Sequence, residues 1–171
     1  NTYWSQCTQQ GGEACMILGD AYGSGDGMAK SQKFAADLYA KACEADIPTA
    51  CYKAGMRHYK GLDGQDSKAA AVGYFEKTCE LEEIKGCTNL AMMLLKGTGV
   101  QADPTRAMTL YKDACERTHA QACVELGIAH ETGKGGTVDL ARAMRTYGTG
   151  CDQGASDGCY RGAALAISGK T

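Results

Sequence analysis

Residues 43–51 read Cys43-Glu44-Ala45-Asp46-Ile47-Pro48-Thr49-Ala50-Cys51, two cysteines eight positions apart across a short polar connection. The same pair recurs as Cys7 and Cys15, Cys79 and Cys87, Cys115 and Cys123, and Cys151 and Cys159. The gap from one pair to the next is always 28, so a unit of 36 residues repeats from end to end. A fixed period of this length marks a solenoid, in which each unit buries its apolar face against its neighbours.

Laid beneath one another at that interval, the units share more than cysteine. Gly25, Gly61, Gly97, Gly133 and Gly169 align, as do Ala35, Ala71, Ala107 and Ala143. An aromatic position reads Tyr3, Tyr39, Phe75, Tyr111 and Tyr147, and a small one reads Ala14, Ala50, Gly86, Ala122 and Gly158. Small residues at fixed register suit close helix approach, and the aromatic suits the gap between layers.

Each unit divides into two helices. Ala14, Cys15, Leu18, Gly19 and Tyr22 form a stripe at spacings of three and four, the helical period. A glycine-rich loop follows, such as Gly23-Ser24-Gly25-Asp26-Gly27, where positive φ is needed at the helix exit. The second helix opens at Ser31, Ser67, Asp103 or Asp139, all good N-caps, and Pro104 suits a first helical position. The pattern predicts ten helices, near 1–8, 12–24, 32–45, 48–60, 68–81, 84–96, 104–117, 120–132, 140–153 and 156–168. One array over 1–171 results, with boundaries near Cys15, Cys51, Cys87, Cys123 and Cys159. Its half-units at both ends read as a cut from a longer array or as half-repeat caps.

Antiparallel neighbours joined by the short connection bring their two cysteines within disulfide reach. The expected bridges are Cys7–Cys15, Cys43–Cys51, Cys79–Cys87, Cys115–Cys123 and Cys151–Cys159, each worth about 2.5 kcal/mol for its short loop. Zinc is the competing use of cysteine. The spacing C-x7-C is not that of zinc sites, and His58, His119 and His130 do not all share one repeat position, so neither metal nor cofactor is expected. Regular disulfides point to an oxidising compartment: periplasm, extracellular space or a similar lumen.

Composition excludes several partners. Formal net charge is −2 with scattered basic residues, which argues against nucleic acid and anionic membrane surfaces. No apolar run approaches the roughly 18 residues of a membrane-spanning helix. The chain opens at Asn1 without methionine or a signal-like segment, which reads as a mature or trimmed product.

Leu18-Gly19-x-x-Tyr22-x-x-Gly25 with the following Ala35 and Tyr39 resembles the Sel1-like repeat, a relative of the tetratricopeptide repeat. Leu90-Ala91 with Gly97 and Leu126-Gly127 with Gly133 match in part; Ala54-Gly55 and Gly162-Ala163 match more weakly. The C-x7-C pair in every unit narrows the resemblance to the cysteine-rich branch typified by the Helicobacter cysteine-rich proteins. It implies an all-α, right-handed αα-superhelix over essentially the whole chain. It also implies three lines of function: β-lactam binding or slow β-lactam hydrolysis, immunity against a secreted effector in a bacterial envelope, and assembly work in the mitochondrial intermembrane space.

No catalytic signature accompanies the resemblance. S-x-x-K, S-D-N and K-T-G, which a serine β-lactamase carries, are absent. Ser168-Gly169-Lys170-Thr171 looks like the tail of a phosphate loop, but Ala164 stands where its first glycine belongs. The three histidines read as packed or solvated, and Glu80, Glu82 and Glu83 as a solvated turn.

The strongest functional signal is a surface. In arrays of the resembled kind the first helix of each unit lines a concave groove. The positions flanking the Leu-Gly pair are Met16 and Asp20; Tyr52, Met56 and Tyr59; Thr88, Met92 and Leu95; Val124, Ile128 and Glu131; and Tyr160. They are largely apolar and rich in methionine, which adapts its shape to a partner. The leading expectation is a non-enzymatic extracytoplasmic scaffold that holds a peptide or protein partner there.

Overall fold

The computed structural model describes residues 2–62 and 67–169. Asn1, at the start of the first expected helix, and Lys170 and Thr171, of the phosphate-loop tail, lie outside them. Ten helices and no strand occur among the described residues. They are α1 (Thr2–Gln10), α2 (Glu13–Ser24), α3 (Gln32–Glu44), α4 (Pro48–Lys60), α5 (Lys68–Glu80), α6 (Ile84–Lys96), α7 (Pro104–Glu116), α8 (Ala120–Thr132), α9 (Leu140–Asp152) and α10 (Ser156–Ile167). The chain is an all-α solenoid in two compact units, Asn1–Gly86 and Cys87–Thr171, and the division falls inside α6.

Local chemistry sets the boundaries. Ser31, Ser67, Asp103 and Asp139 each accept a hydrogen bond from the backbone N–H three residues on, capping α3, α5, α7 and α9. Pro48 and Pro104 occupy first-turn positions, where the missing N–H costs nothing. Gly25 ends α2 in the left-handed conformation, with φ 85°, and its N–H reaches Ala21 O. α1 extends to Gln10, beyond the expected stop near residue 8, because the first chain-breaking conformations come at Gly11 and Gly12 (φ 63° and 68°).

α3, α5, α7 and α9 each end in one repeated turn. Asp46, Glu82, Thr118 and Gly154 all take positive φ, although three of the four are not glycine. Their N–H groups donate to the carbonyls of Cys43, Cys79, Cys115 and Cys151 at 2.9–3.1 Å. The following N–H groups of Glu83, His119 and Ala155 donate to Thr78, Ala114 and Gly150 at 2.8–3.1 Å. This is the Schellman arrangement, which satisfies two orphan carbonyls and reverses the chain. The reversal sets the cysteines face to face: Cys7–Cys15, Cys43–Cys51, Cys115–Cys123 and Cys151–Cys159 are disulfides with Cα atoms 4.6–4.7 Å apart. Cys79 and Cys87 are disulfide-bonded as well.

In the first unit α1 through α5 pack in succession, and in the second α7 through α10 do so, with α8 also touching α10. Ala35, Ala71, Ala107 and Ala143 are fully buried, and so are the rings of Tyr39, Phe75, Tyr111 and Tyr147. The rings of Tyr39, Phe75 and Tyr147 are each received by a glycine on the preceding helix. A Cβ at Gly19 would lie 2.8 Å from the Tyr39 ring, and one at Gly127 would lie 2.5 Å from the Tyr147 ring. Tyr3, in the same register on α1, stays half exposed, since no helix precedes α1 among the described residues. Gly158 shows how close the cysteine-flanking helices come: a Cβ there would sit 2.8 Å from the Tyr147 carbonyl.

Candidate functional site

The candidate residues lie on the first helix of each repeat. In the first unit Met16 lies half-buried against the cores built on Leu18 and on Ala35 and Tyr39, and its sulfur accepts the Thr49 hydroxyl at 3.2 Å. Tyr52 packs against Phe75, with ring centroids 6.1 Å apart. Met56 and Tyr59 follow on the same face of α4, half-buried.

Asp20 belongs to a network that joins three helices. Its Oδ1 accepts the Tyr39 hydroxyl and the Lys53 ammonium, both at 2.5 Å. Lys53 and Arg57 lie over the Tyr39 ring at 5.4 and 5.0 Å from its centroid. Arg57 also donates to the Gln32 side chain. Burial pushes the Asp20 carboxyl upward, but the hydrogen bonds from Lys53 and Tyr39 outweigh it and hold it below its ordinary value. Burial first, and then the hydrogen bond to Asp20, raise the Tyr39 phenol to about 12.

The second unit repeats the design. The Tyr147 hydroxyl donates to Glu131 Oε2 at 2.6 Å, and Arg161 sits against both Tyr147 and Asp157. Lys53 and Arg161 stand at the same register, three repeat lengths apart. Glu131, Asp157, Tyr160, Arg161 and Leu165 wall a cavity of about 310 Å³ between α8 and α10, so the structure brings the candidates Glu131 and Tyr160 together. Tyr160 is 75% exposed. Thr88, Met92 and Leu95 are half-buried on α6, and Ile128 rests against the core of Val124, Ala143, Tyr147 and Leu165.

Val124 itself is a correction. It is 0% exposed, packed under α9 and α10, and belongs to the core rather than to a binding face. Its register carries Met16, Tyr52, Thr88 and Tyr160 elsewhere, so the position is not equivalent in every unit. At Val124 the small Gly150 lets α9 come close enough to seal it, with a Cβ at Gly150 only 3.3 Å from its methyl.

The tyrosine networks escaped the sequence reading because Tyr39 and Tyr147 were legible only as buried rings. A signal did exist: charged Lys53 and Arg161 recur at one register amid an apolar helix. The histidines found other uses. His119 Nδ1 accepts the Ala122 N–H and caps α8, and His58 stacks on Tyr74 with centroids 5.3 Å apart. Among the described residues no group of three His, Cys, Asp or Glu is placed to hold a metal, and no helix is long and apolar enough to cross a membrane.

Tandem αα units in this register, with a Leu-Gly helix receiving the aromatic of its partner, define a Sel1-type array. The Sel1 repeat model matches residues 12–47, 48–82, 84–119 and 120–154, and the chain belongs to that family. Three solved structures are similar to it. A protective antigen of uropathogenic Escherichia coli with an SLR fold is 30% identical at TM-score 0.82, over 89% of this chain and 32% of that one. A Sel1 repeat protein from Oxalobacter formigenes is 26% identical at TM-score 0.78, over 85% of this chain and 60% of that one. Helicobacter pylori cysteine rich protein B is 29% identical at TM-score 0.58, over 78% of this chain and 96% of that one. The chain thus spans about a third of the first structure's length and three fifths of the second's. Comparison with curated proteins yields no match. Sel1 repeats are a scaffold for protein–protein interaction. The bonded cysteines and the likeness to the Helicobacter protein fit an oxidising, extracytoplasmic compartment.

Proposed function

We propose that this is a non-enzymatic periplasmic or secreted adaptor whose first-helix faces hold a segment of a partner protein. The observation that carries this is the cavity between α8 and α10, where exposed Tyr160 stands beside Glu131 and Arg161. An aromatic anchor next to fixed, hydrogen-bonded charges is the composition of an interaction hot spot. The first unit offers a matching set in Tyr52, Met56 and Tyr59 beside Asp20 and Lys53. Met16, Thr88, Met92, Leu95 and Ile128 extend the apolar surface of the two faces. The partner suited to them is an apolar segment with charged side chains that complement the two networks.

Capture from extracytoplasmic extracts of the source organism, followed by mass spectrometry, tests the proposal. A partner held by the wild-type chain and lost by the Met56→Glu, Met92→Glu double variant supports it, given unchanged helix content. Partner retention by that variant removes the first-helix faces from consideration.

A further inference from the structure

A second cleft lies in the Cys87–Thr171 unit, and none of the proposed partner residues lines it. α7, α9, the end of α8 and the loop at 135–137 enclose about 930 Å³. That volume lies within the usual range of small-molecule sites. Three cations reach its walls, Lys112 from α7 and Arg142 and Arg145 from α9, against the single carboxylate of Asp139. This carboxylate is already engaged, accepting the Arg142 N–H at 2.8 Å and facing the Arg142 guanidinium at 3.1 Å.

Two cations are therefore left without firm compensation. Arg145 makes no ion pair among the described residues, and Lys112 reaches Glu116 only at 3.7 Å, with both side chains exposed. The protein as a whole carries a net charge of −2, so this excess of positive charge is local. It is felt by His130 on the floor of the cleft. Burial lowers the imidazole pKa, and Arg142 and Arg145 lower it further against the opposing pull of Asp139. The hydroxyls of Thr105 and Thr137 also line the cleft and make no hydrogen bond among the described residues.

We propose that this cleft binds a small phosphate monoester, either free or as a lipid headgroup, through Lys112, Arg142 and Arg145. A dianion matches the two loosely compensated cations, whereas a single carboxylate would neutralise only one of them. Guanidinium groups bind phosphoryl oxygens through paired, charge-assisted hydrogen bonds. The surrounding groups that set the potential are Lys112 on α7, His130 on α8, and Asp139, Arg142 and Arg145 at the start of α9.

Calorimetric titration of the whole chain with glycerol phosphate, and with glycerol as the control, measures the site directly. Saturable binding of glycerol phosphate alone is expected, weakened about tenfold or more in each of Arg145→Gln and Lys112→Gln. Both variants change exposed side chains outside the core, and circular dichroism checks that they fold. Bound phosphate should also raise the His130 titration midpoint seen by NMR, and circular dichroism on the same samples separates this from unfolding, which would release the depressed imidazole and raise it too. Vesicles with and without phosphatidic acid separate the two sources. Capture by phosphatidic acid alone, lost in the Arg145→Gln, Lys112→Gln double variant, would assign the site to a lipid headgroup. Absence of binding to either probe, or equal binding by wild type and variants, would overturn the proposal.

Discussion

At the scale of single residues, the turn after each second helix shows how the repeat tolerates a strained backbone. Asp46, Glu82 and Thr118 take φ of 57°, 62° and 64°, and the same register holds Gly154 in the last repeat. A side chain in this conformation brings Cβ against the carbonyl, at a cost of about 1–2 kcal/mol, most acutely for a β-branched residue. Thr118→Gly relieves that strain while adding some unfolded-chain entropy, so a net gain of about 0.5–1 kcal/mol is expected. Urea unfolding followed by circular dichroism would measure it. The turn persists in its unfavoured form because its N–H groups satisfy two carbonyls and align the disulfide. None of this strain was legible in the sequence, where Asp46, Glu82 and Thr118 look like ordinary solvated turn residues.

At the scale of helices, the buried tyrosines are the elements' joints. Tyr39 ties α3 to α2 through Asp20, and Tyr147 ties α9 to α8 through Glu131. Burial and these carboxylates raise the Tyr39 phenol to about 12 and push Tyr147 upward too, while burial and Glu125 push Tyr111 up. The folded state therefore holds these protons more tightly than the unfolded chain, whose phenols titrate near 10. Their stabilising contribution is complete below pH 10 and is lost as pH rises through about 12. Melting temperature should fall across that window, and Tyr39→Phe should show a shallower fall than wild type. An equally steep decline in the variant would remove Tyr39 from the account. The ring positions were readable from the 36-residue period, but their hydroxyl partners were not, because Asp20 and Glu131 stand at different registers.

At the scale of the whole chain, stability depends on covalent closure. All ten cysteines are bonded, and each bridge closes a loop of about nine residues, worth about 2.5 kcal/mol in the chain-entropy model. A domain's total stability is only about 5–15 kcal/mol, so losing several such bridges exceeds what thin repeat packing can supply. Full reduction is expected to abolish the cooperative thermal transition in far-UV circular dichroism. Replacing both Cys115 and Cys123 by serine should cost about 2–3 kcal/mol in denaturant unfolding. A reduced protein that melts like the oxidised one would show that helix packing alone carries the fold.

Local spacing that repeats in every unit determined the helix count, the helix boundaries to within two residues and the N-caps, and the Leu18-Gly19-x-x-Tyr22-x-x-Gly25 motif carried the resemblance to the family. The candidate surface was legible only as a register, and register does not decide exposure. Val124 was sealed by α9, and Asp20 and Glu131 became members of hydrogen-bonded networks, because those outcomes depend on how closely a neighbouring helix approaches. The cleft at His130 came from tertiary structure entirely. Lys112 on α7, His130 on α8, and Arg142 and Arg145 on α9 share no motif, and only the packing of those helices collects three cations beside one imidazole and one already engaged carboxylate.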